Sequence, residues 1–386
     1  MSTQAAALDG VLIADFGRVL AGPYATMLLA DLGAEVIKIE RPGAGDDTRR
    51  WGPPWAGEDS TYFLSVNRNK QSVALDLRDS DDLRVATDLV RRADVVVENF
   101  LPGALDALGM GYDQVRQDNP ALVYCSITGS GAASGLPGYD LVAQAVGGLM
   151  SITGPDATTP TKVGVAMVDV IAGLHAAVGI LAALRHRDRT GEGQRVEVNL
   201  LSSCLSALVN QAAGYVGAGV IPHAMGNLHP SIAPYQAFDS ADRPLVLAVG
   251  NDGQFAALCA VLGLDELVSD PRYTDNTARV AHRDQLAGEL TTALAADTAD
   301  GWFQRLSAVG VPCGPINDLA DAIAFAGRVG LEPVVEIDDP RRPHPVRQVA
   351  NPITLGVTPM SYRTAPPRLG EDTAIITTHQ RSGTPS

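Results

Sequence analysis

Short apolar runs separated by helix-length segments fill the first third of this chain, and they admit few architectures. VLIADF (11–16) is followed by a helical pattern over 22–32 with Gly33 as its stop, then by AEVIKIE (34–40). A loop rich in Gly, Pro and Asp runs on to about Asp59. SVALDL (72–77) precedes a helical run over 81–92, and DVVVENF (94–100) and LVYCSIT (122–128) follow. Strands that are apolar throughout are buried on both faces, which calls for helices on either side of a parallel sheet. The expected class is α/β, with a Rossmann-like doubly wound parallel sheet. No GxGxxG follows the first strand, so a dinucleotide is not implied.

Residues 139–184 read as nearly continuous helix, broken by the turn-rich TGPDATTPTK (153–162). QRVEVNLL (194–201) leads into a helix reaching about residue 216. Near His223 the texture changes to PYQAF, RPLVLAVGNDGQF and acidic amphipathic helices. The expected division is a large Rossmann-like domain over 1–224, a smaller α+β domain over 225–325, and a C-terminal segment over 326–386 that returns to the large one. That last segment is rich in Pro and Arg and shows no long periodic helix.

Composition removes several classes. The 386 residues carry a formal charge of −15 and no basic stripe, which argues against nucleic acid as a partner. Cys125, Cys204, Cys259 and Cys313 lack CxxC spacing and read as buried thiols in a reducing compartment. MSTQAAALDG lacks the features of a signal peptide, and no long apolar run is free of polar interruption, so a cytoplasmic protein without a membrane span is expected. His229 and the other histidines have no metal-ligand spacing, and no GxSxG elbow is present. Neither a metal nor a resident cofactor is expected.

What remains for chemistry is a carboxylate. Asp169 heads the apolar run VDVIAGLHAAVGILAAL, in which His175 is the other polar side chain. An acid there either caps a helix, where negative charge is favoured, or acts as nucleophile or base. On this segment alone both readings stay open. Arg41 follows one strand, Arg68 and Lys70 come after the next loop, Asn99 and Phe100 end another strand, and carboxyl ends of parallel strands face the ligand crevice. They form a candidate anion site, against the plainer reading of solvated surface charge. The loop Gly250, Asn251, Asp252, Gly253 offers backbone N–H groups to a ligand or is an ordinary turn. Trp51 lies in a loop where it forms either a substrate wall or an interface anchor.

Together these motifs resemble the family III CoA-transferases, over nearly the whole chain. The matching stretches are ADFGRVLAGPYATMLLADLGAEVIKIERPGAGDDTR, STYFLSVNRNKQSVALDL, ADVVVENFLPGALDALGMGY, GYDLVAQA, the Asp169 helix, TGEGQRVEVNLL and APPRLGEDT. RPGAGDDTRRWGPPW, YCSIT, GLMSITGP, SIAPYQAF and GVPCGPIND look most like the succinate–hydroxymethylglutarate branch, whose members use dicarboxylates. The resemblance implies transfer of CoA from an acyl-CoA to a small carboxylic acid, with Asp169 as the nucleophile that passes through mixed anhydrides and an aspartyl-CoA thioester. An ionised nucleophile requires that burial not raise its pKa far.

By the same resemblance, Arg41 and Lys70 lie along the CoA nucleotide, and Asn99, Phe100 and Leu108 line its channel. Tyr139 and Asp140 form a tyrosine–acid pair beside the nucleophile. Gly250, Asn251, Asp252 and Gly253 match a glycine-rich lid, with Asn251 and Asp252 in place of glycines. Trp51 and Leu20 fall at the acid site, and Leu20 replaces a glutamine of formyl-CoA transferase, which argues against oxalate or formate. Ala107 and Pro137 replace basic CoA contacts of that enzyme. Arg18, Arg49 and Arg50 are candidates for a distal carboxylate. Family members form interlocked dimers, so a homodimer is expected. Two alternatives stand beside this reading. An α-methylacyl-CoA racemase is disfavoured because Tyr139 occupies the place of its histidine base, and a phenol titrating near about 10 is a poor base at neutral pH. The other is a non-catalytic CoA-binding protein.

Overall fold

Six strands, all paired in parallel, form the central sheet of the computed structural model, which describes residues 5–134 and 136–382. They are β1 (Leu12–Asp15), β2 (Glu35–Glu40), β3 (Lys70–Ala74), β4 (Val95–Glu98), β5 (Val123–Thr128) and β6 (Arg195–Asn199). Their spatial order is β3-β2-β1-β4-β5-β6. This is the strand order of the Rossmann fold, and it places the reversal of winding between β1 and β4. The mixed α/β architecture expected from the alternating runs is present.

Helices cover both faces because the strands are apolar on both. On one side α1 (Ala21–Asp31) and α5 (Met167–Thr190) pack with Ile13, Val36, Val97 and Cys125. On the other, α2 (Ser80–Arg92) and α3 (Tyr112–Asp118) pack with Ala14, Ile37, Val96 and Tyr124. Between α3 and α5 lies α4 (Asp140–Val146), and α6 (Leu200–Ala207) and α7 (Val209–Ala218) follow β6. α5 is long and apolar enough to cross a membrane, yet Ala172, Ala176, Ile180 and Leu184 make it a helix of this core.

Helix was expected over 139–184 apart from a break at 153–162, and the stretch before that break is shorter than expected. α4 stops at Val146, where Gly147 and Gly148 follow, the latter at φ +84°. A side chain at Gly147 would meet the Ala143 carbonyl at 2.6 Å and the Cys204 thiol at 2.7 Å, so glycine is required for this packing and ends the helix.

The chain divides into two compact units. The first comprises residues 1–149, 162–220 and 331–386, and the second comprises 150–161 and 221–330. Thus the turn-rich 150–161, read from sequence as part of the large domain, groups with the second unit. That unit has its own antiparallel sheet, β7 (Tyr235–Phe238), β8 (Leu245–Ala248) and β9 (Cys313–Pro315), with a core containing Phe255, Leu258, Leu290 and Trp302.

The C-terminal segment of the first unit is more structured than its sequence suggests. It contains an antiparallel pair, β10 (Val334–Ile337) with β11 (Val346–Val349), and a helix over Thr373–Ser382. Edge strand β3 would expose unpaired N–H groups, and the segment covers them. Asp372 accepts from the Ser72 N–H at 2.8 Å, and the Thr373 hydroxyl accepts from the Ala74 N–H at 3.0 Å.

Candidate active site

At the switch point the loop after β1 meets the loop after β4. Every polar atom of the two peptide groups flanking Arg18 is held by a side chain. The Gly17 carbonyl accepts from Lys38 Nζ at 2.6 Å, and the Arg18 N–H donates to Asn99 Oδ1 at 2.8 Å. The Arg18 carbonyl accepts from Asn99 Nδ2 at 2.7 Å, and the Val19 N–H donates to the Asp46 carboxylate at 3.2 Å. Lys38 and Asp46 are themselves an ion pair, 2.9 Å apart and buried. This clamp holds Val19 at φ +68°, a conformation that a β-branched residue rarely adopts. Burial pushes the Asp46 carboxyl up, but the Lys38 charge and the Thr48 N–H outweigh it and hold the group down at about 2.

The loop opens onto a cavity of about 290 Å³ that also contains Asp169, Tyr139, Thr128 and Phe100. Asp169 is not an N-cap: it is the third residue of α5, after Met167 and Val168. The cap comes from α4. Asp140 Oδ1 accepts from the N–H groups of Val168 at 2.8 Å and Asp169 at 3.1 Å, and its other oxygen accepts from Gln144 Nε2 at 2.6 Å. Gln144 is buried and also accepts from the Val163 N–H, fixing the entry to α5. Helix capping is therefore done by Asp140, and the Asp169 carboxylate has no hydrogen bond or ion pair among the described residues.

Burial, and after it the neighbouring Asp140 charge, push the Asp169 carboxyl up to about 7. This corrects the expectation that burial leaves it close to an ordinary carboxylate; near neutral pH it is part protonated. Gly129 and Gly138 close the cavity's far wall, where a Cβ on either would lie within 2.7 Å of the other's Cα, so that β5 and the loop before Tyr139 pass in contact.

Sequence reasoning missed Tyr62. Burial, then the charges of Asp169 and Asp140, raise its phenol to about 12, which places it in the electrostatic reach of the nucleophile. Trp51 stacks edge-on against Tyr62, with centroids 5.3 Å apart. Leu20, Val19, Tyr62 and Val170 belong to one apolar cluster. Tyr62 lies within the quoted stretch STYFLSVNRNK, but its aromatic neighbours there gave no reason to single it out.

A second cavity of about 460 Å³ adjoins the same loop and is lined by Arg18, Arg41, Arg78, Phe100, Leu75 and Leu77, among others. Arg41 is exposed and makes one long ion pair with Asp47 at 3.4 Å. Of the predicted CoA residues, Arg41, Asn99 and Phe100 line these two cavities, and Asn99 spends its amide on Arg18.

Several predicted site residues are used elsewhere. Lys70 is fully buried, and its ammonium donates to Asp15 at 3.0 Å, the Pro23 carbonyl at 2.9 Å and Asn67 at 3.0 Å, leaving nothing for a phosphate. Arg68 is likewise buried against Asp31 at 2.7 Å. Arg49 grips Glu40 at 2.7 Å and stacks on Phe63. Leu108 packs on the core beside α2 and α3 and lines neither cavity. In the second unit, Asn251 caps α8 (Asp252–Leu262) by accepting from the Gln254 N–H at 2.9 Å, while Gln254 accepts from the Gly250 N–H at 2.8 Å. Asp252 accepts from buried Arg279. Neither Gly250 nor Gly253 is at positive φ, and this loop forms the N-terminal cap of α8.

The model of the CoA-transferase family III matches residues 8–373, and the chain belongs to that family of enzymes. A mouse protein named succinyl-CoA:glutarate CoA-transferase is 44% identical over 96% of this chain and 85% of its own. One from Acetobacter aceti named acetyl-CoA:oxalate CoA-transferase is 42% identical over 81% of this chain and 82% of its own. The crystal structure of a CAIB/BAIF family protein from Brucella suis superposes with a TM-score of 0.87 at 39% identity, covering 97% of this chain and 100% of that one. Both named relatives take a dicarboxylic acid, and they differ in the acyl donor.

Proposed function

We propose that this enzyme moves CoA from a dicarboxylyl-CoA, with succinyl-CoA as the first candidate, to a second dicarboxylic acid by double displacement on Asp169. The carrying observation is the unpaired carboxylate at the cavity wall, with Asp140 having taken over the helix cap. An Asp169 oxygen attacks the thioester carbonyl, the C–S bond breaks, and a mixed anhydride and CoA thiolate result. The thiolate then attacks the aspartyl carbonyl, releasing the donor acid and leaving an aspartyl-CoA thioester. The acceptor carboxylate attacks that thioester, and the displaced thiolate takes the new acyl group and regenerates Asp169. Each step exchanges one anion for another, so no general base is required.

The surroundings suit these intermediates. Leu20, Ile127 and Leu200 line the cavity with Asp169 and present apolar surface that disfavours water at the anhydride. Desolvation also strips a carboxylate nucleophile of its hydration. CoA is assigned to the second cavity, its nucleotide against Phe100 and Leu75 and its phosphates toward Arg41. The working form is taken to be a homodimer: in the single chain α5 leaves Leu174, Val178 and Leu181 exposed, and α7 leaves Tyr215 and Val216. A solution mass of one chain would sink that part.

The test is mass spectrometry after incubation with succinyl-CoA, trapping with hydroxylamine or borohydride. An adduct at residue 169 in the wild type, absent in Asp169→Ala, is the expected result. No adduct, together with α-proton exchange into a branched acyl-CoA in deuterated water, would overturn the transferase reading in favour of a racemase.

A further inference from the structure

The first cavity holds two acidic side chains, Asp47 and Asp169, against a single cation among the described lining residues, Arg18. A second carboxylate entering there meets like charge unless that cation receives it. Arg18 differs from the other arginines near the loop. Its Nε is buried with no hydrogen-bond partner, and its guanidinium lies 4.9 Å from the centroid of the Phe100 ring. Arg49 and Arg68 are committed to Glu40 and Asp31, and Arg50 is exposed beside Asp47. The backbone of Arg18, by contrast, is over-determined by Lys38, Asp46 and Asn99. A fixed backbone carrying an unpaired guanidinium is a preorganised anion receptor.

We infer that Arg18 reads the distal carboxylate of the acyl group, and that the Lys38–Asp46 pair and Asn99 are positioning residues that aim it. The inference rests on Asp169 as the acyl acceptor. Planar, bidentate binding of a carboxylate is what the two terminal nitrogens of an unpaired guanidinium provide, and an ammonium does not reproduce it. Arg18 also borders the second cavity, so the competing occupant is a CoA phosphate.

The experiment compares the rate of adduct formation at Asp169 from succinyl-CoA and from butyryl-CoA, which has a methyl in place of the distal carboxylate. The wild type should prefer succinyl-CoA, and Arg18→Ala and Arg18→Lys should each cut that preference by about 10- to 100-fold, as expected for a charged hydrogen bond. Asn99→Ala, which frees the loop without touching the guanidinium, should reduce the same preference by a smaller factor. Affinity for free CoA, measured by calorimetry, should change less than threefold in Arg18→Lys. Equal losses with both esters, or a matching fall in CoA affinity, would assign Arg18 to the CoA phosphates and overturn the inference. No wild-type adduct from either ester would overturn the transfer reading itself and this inference with it. A wild-type adduct whose succinyl preference survives in both Arg18 variants would overturn this inference alone.

Discussion

Two populations of charge lie within a few residues of each other in the first unit, and they are built oppositely. Under the loops after β1 and β2, Lys38 with Asp46, Arg68 with Asp31 and Lys70 with Asp15 are buried pairs at 2.7–3.0 Å, each with further hydrogen bonds to backbone or amide groups. At the cavity, the Arg18 guanidinium and the Asp169 carboxylate have no hydrogen-bond or ion-pair partner among the described residues. The buried pairs set backbone geometry, and their charges are already met inside the fold. The cavity charges are left unsatisfied by the fold, and that makes them available to a substrate. Residue type alone does not separate the two; the pairing does.

The largest effect comes from breaking a buried pair. Lys70→Met leaves the Asp15 carboxylate buried with only the Thr26 hydroxyl and the Gly17 N–H as donors. The expected loss is about 3–5 kcal/mol of stability, read by denaturant unfolding. Adding Asp15→Asn should recover a large part of it, because the uncompensated charge is then gone. If the single substitution instead folds normally and weakens CoA binding tenfold, Lys70 belongs with the ligand charges after all.

A smaller effect follows from the charge beside the nucleophile. Asp140→Asn keeps an oxygen to accept from the Val168 and Asp169 N–H groups but removes the negative charge that helps raise Asp169. The acid limb of kcat/KM, expected near pH 7 in the wild type, should move to lower pH. The movement should be less than half of the distance between 3.8 and about 7, because burial is the larger cause. An unmoved limb would mean that another group controls the profile.

This contrast also shows what could be read from the sequence. The sheet was legible because its strands are apolar over their whole length and spaced by helix-sized segments, a purely local signal. Asp169 was legible because an acid facing a long apolar run is conspicuous. Lys70 and Arg41 looked alike, since both are cations flanking strands of the same sheet, yet Lys70 begins β3 whereas Arg41 follows the end of β2. Their fates are decided by acids that are distant or absent in sequence: Asp15 lies 55 positions from Lys70, and Asp31 lies 37 from Arg68. The cap from Asp140 to α5 spans 28 positions and was invisible for the same reason. The loop 250–253 was legible locally: Asn251 followed three positions later by Gln254 is a capping pattern, and Asn251 caps α8.

The smallest effect is the sharpest test of the comparison, because it reverses sign between the two populations. The carboxyl of Asp169 titrates at about 7 in the fold and near 3.8 when unfolded, so the fold favours its protonated form. The stability contributed by that form is fully present below about 3.8 and is lost as the pH rises through 7. At pH 8 the wild type therefore carries an ionised, half-buried acid that nothing pairs, whereas Asp169→Asn carries a neutral amide of the same shape. The variant should unfold later than the wild type at pH 8, by on the order of 1 kcal/mol once partial solvation is allowed for. That margin should shrink as the pH falls through 7 toward 4, even though adduct formation is lost throughout. A gain in stability with a loss of chemistry is the mark of a group held for its reaction. If Asp169→Asn were instead less stable at pH 8, the carboxylate would be a structural charge like Asp15, and its raised pKa could not set the acid limb of the reaction.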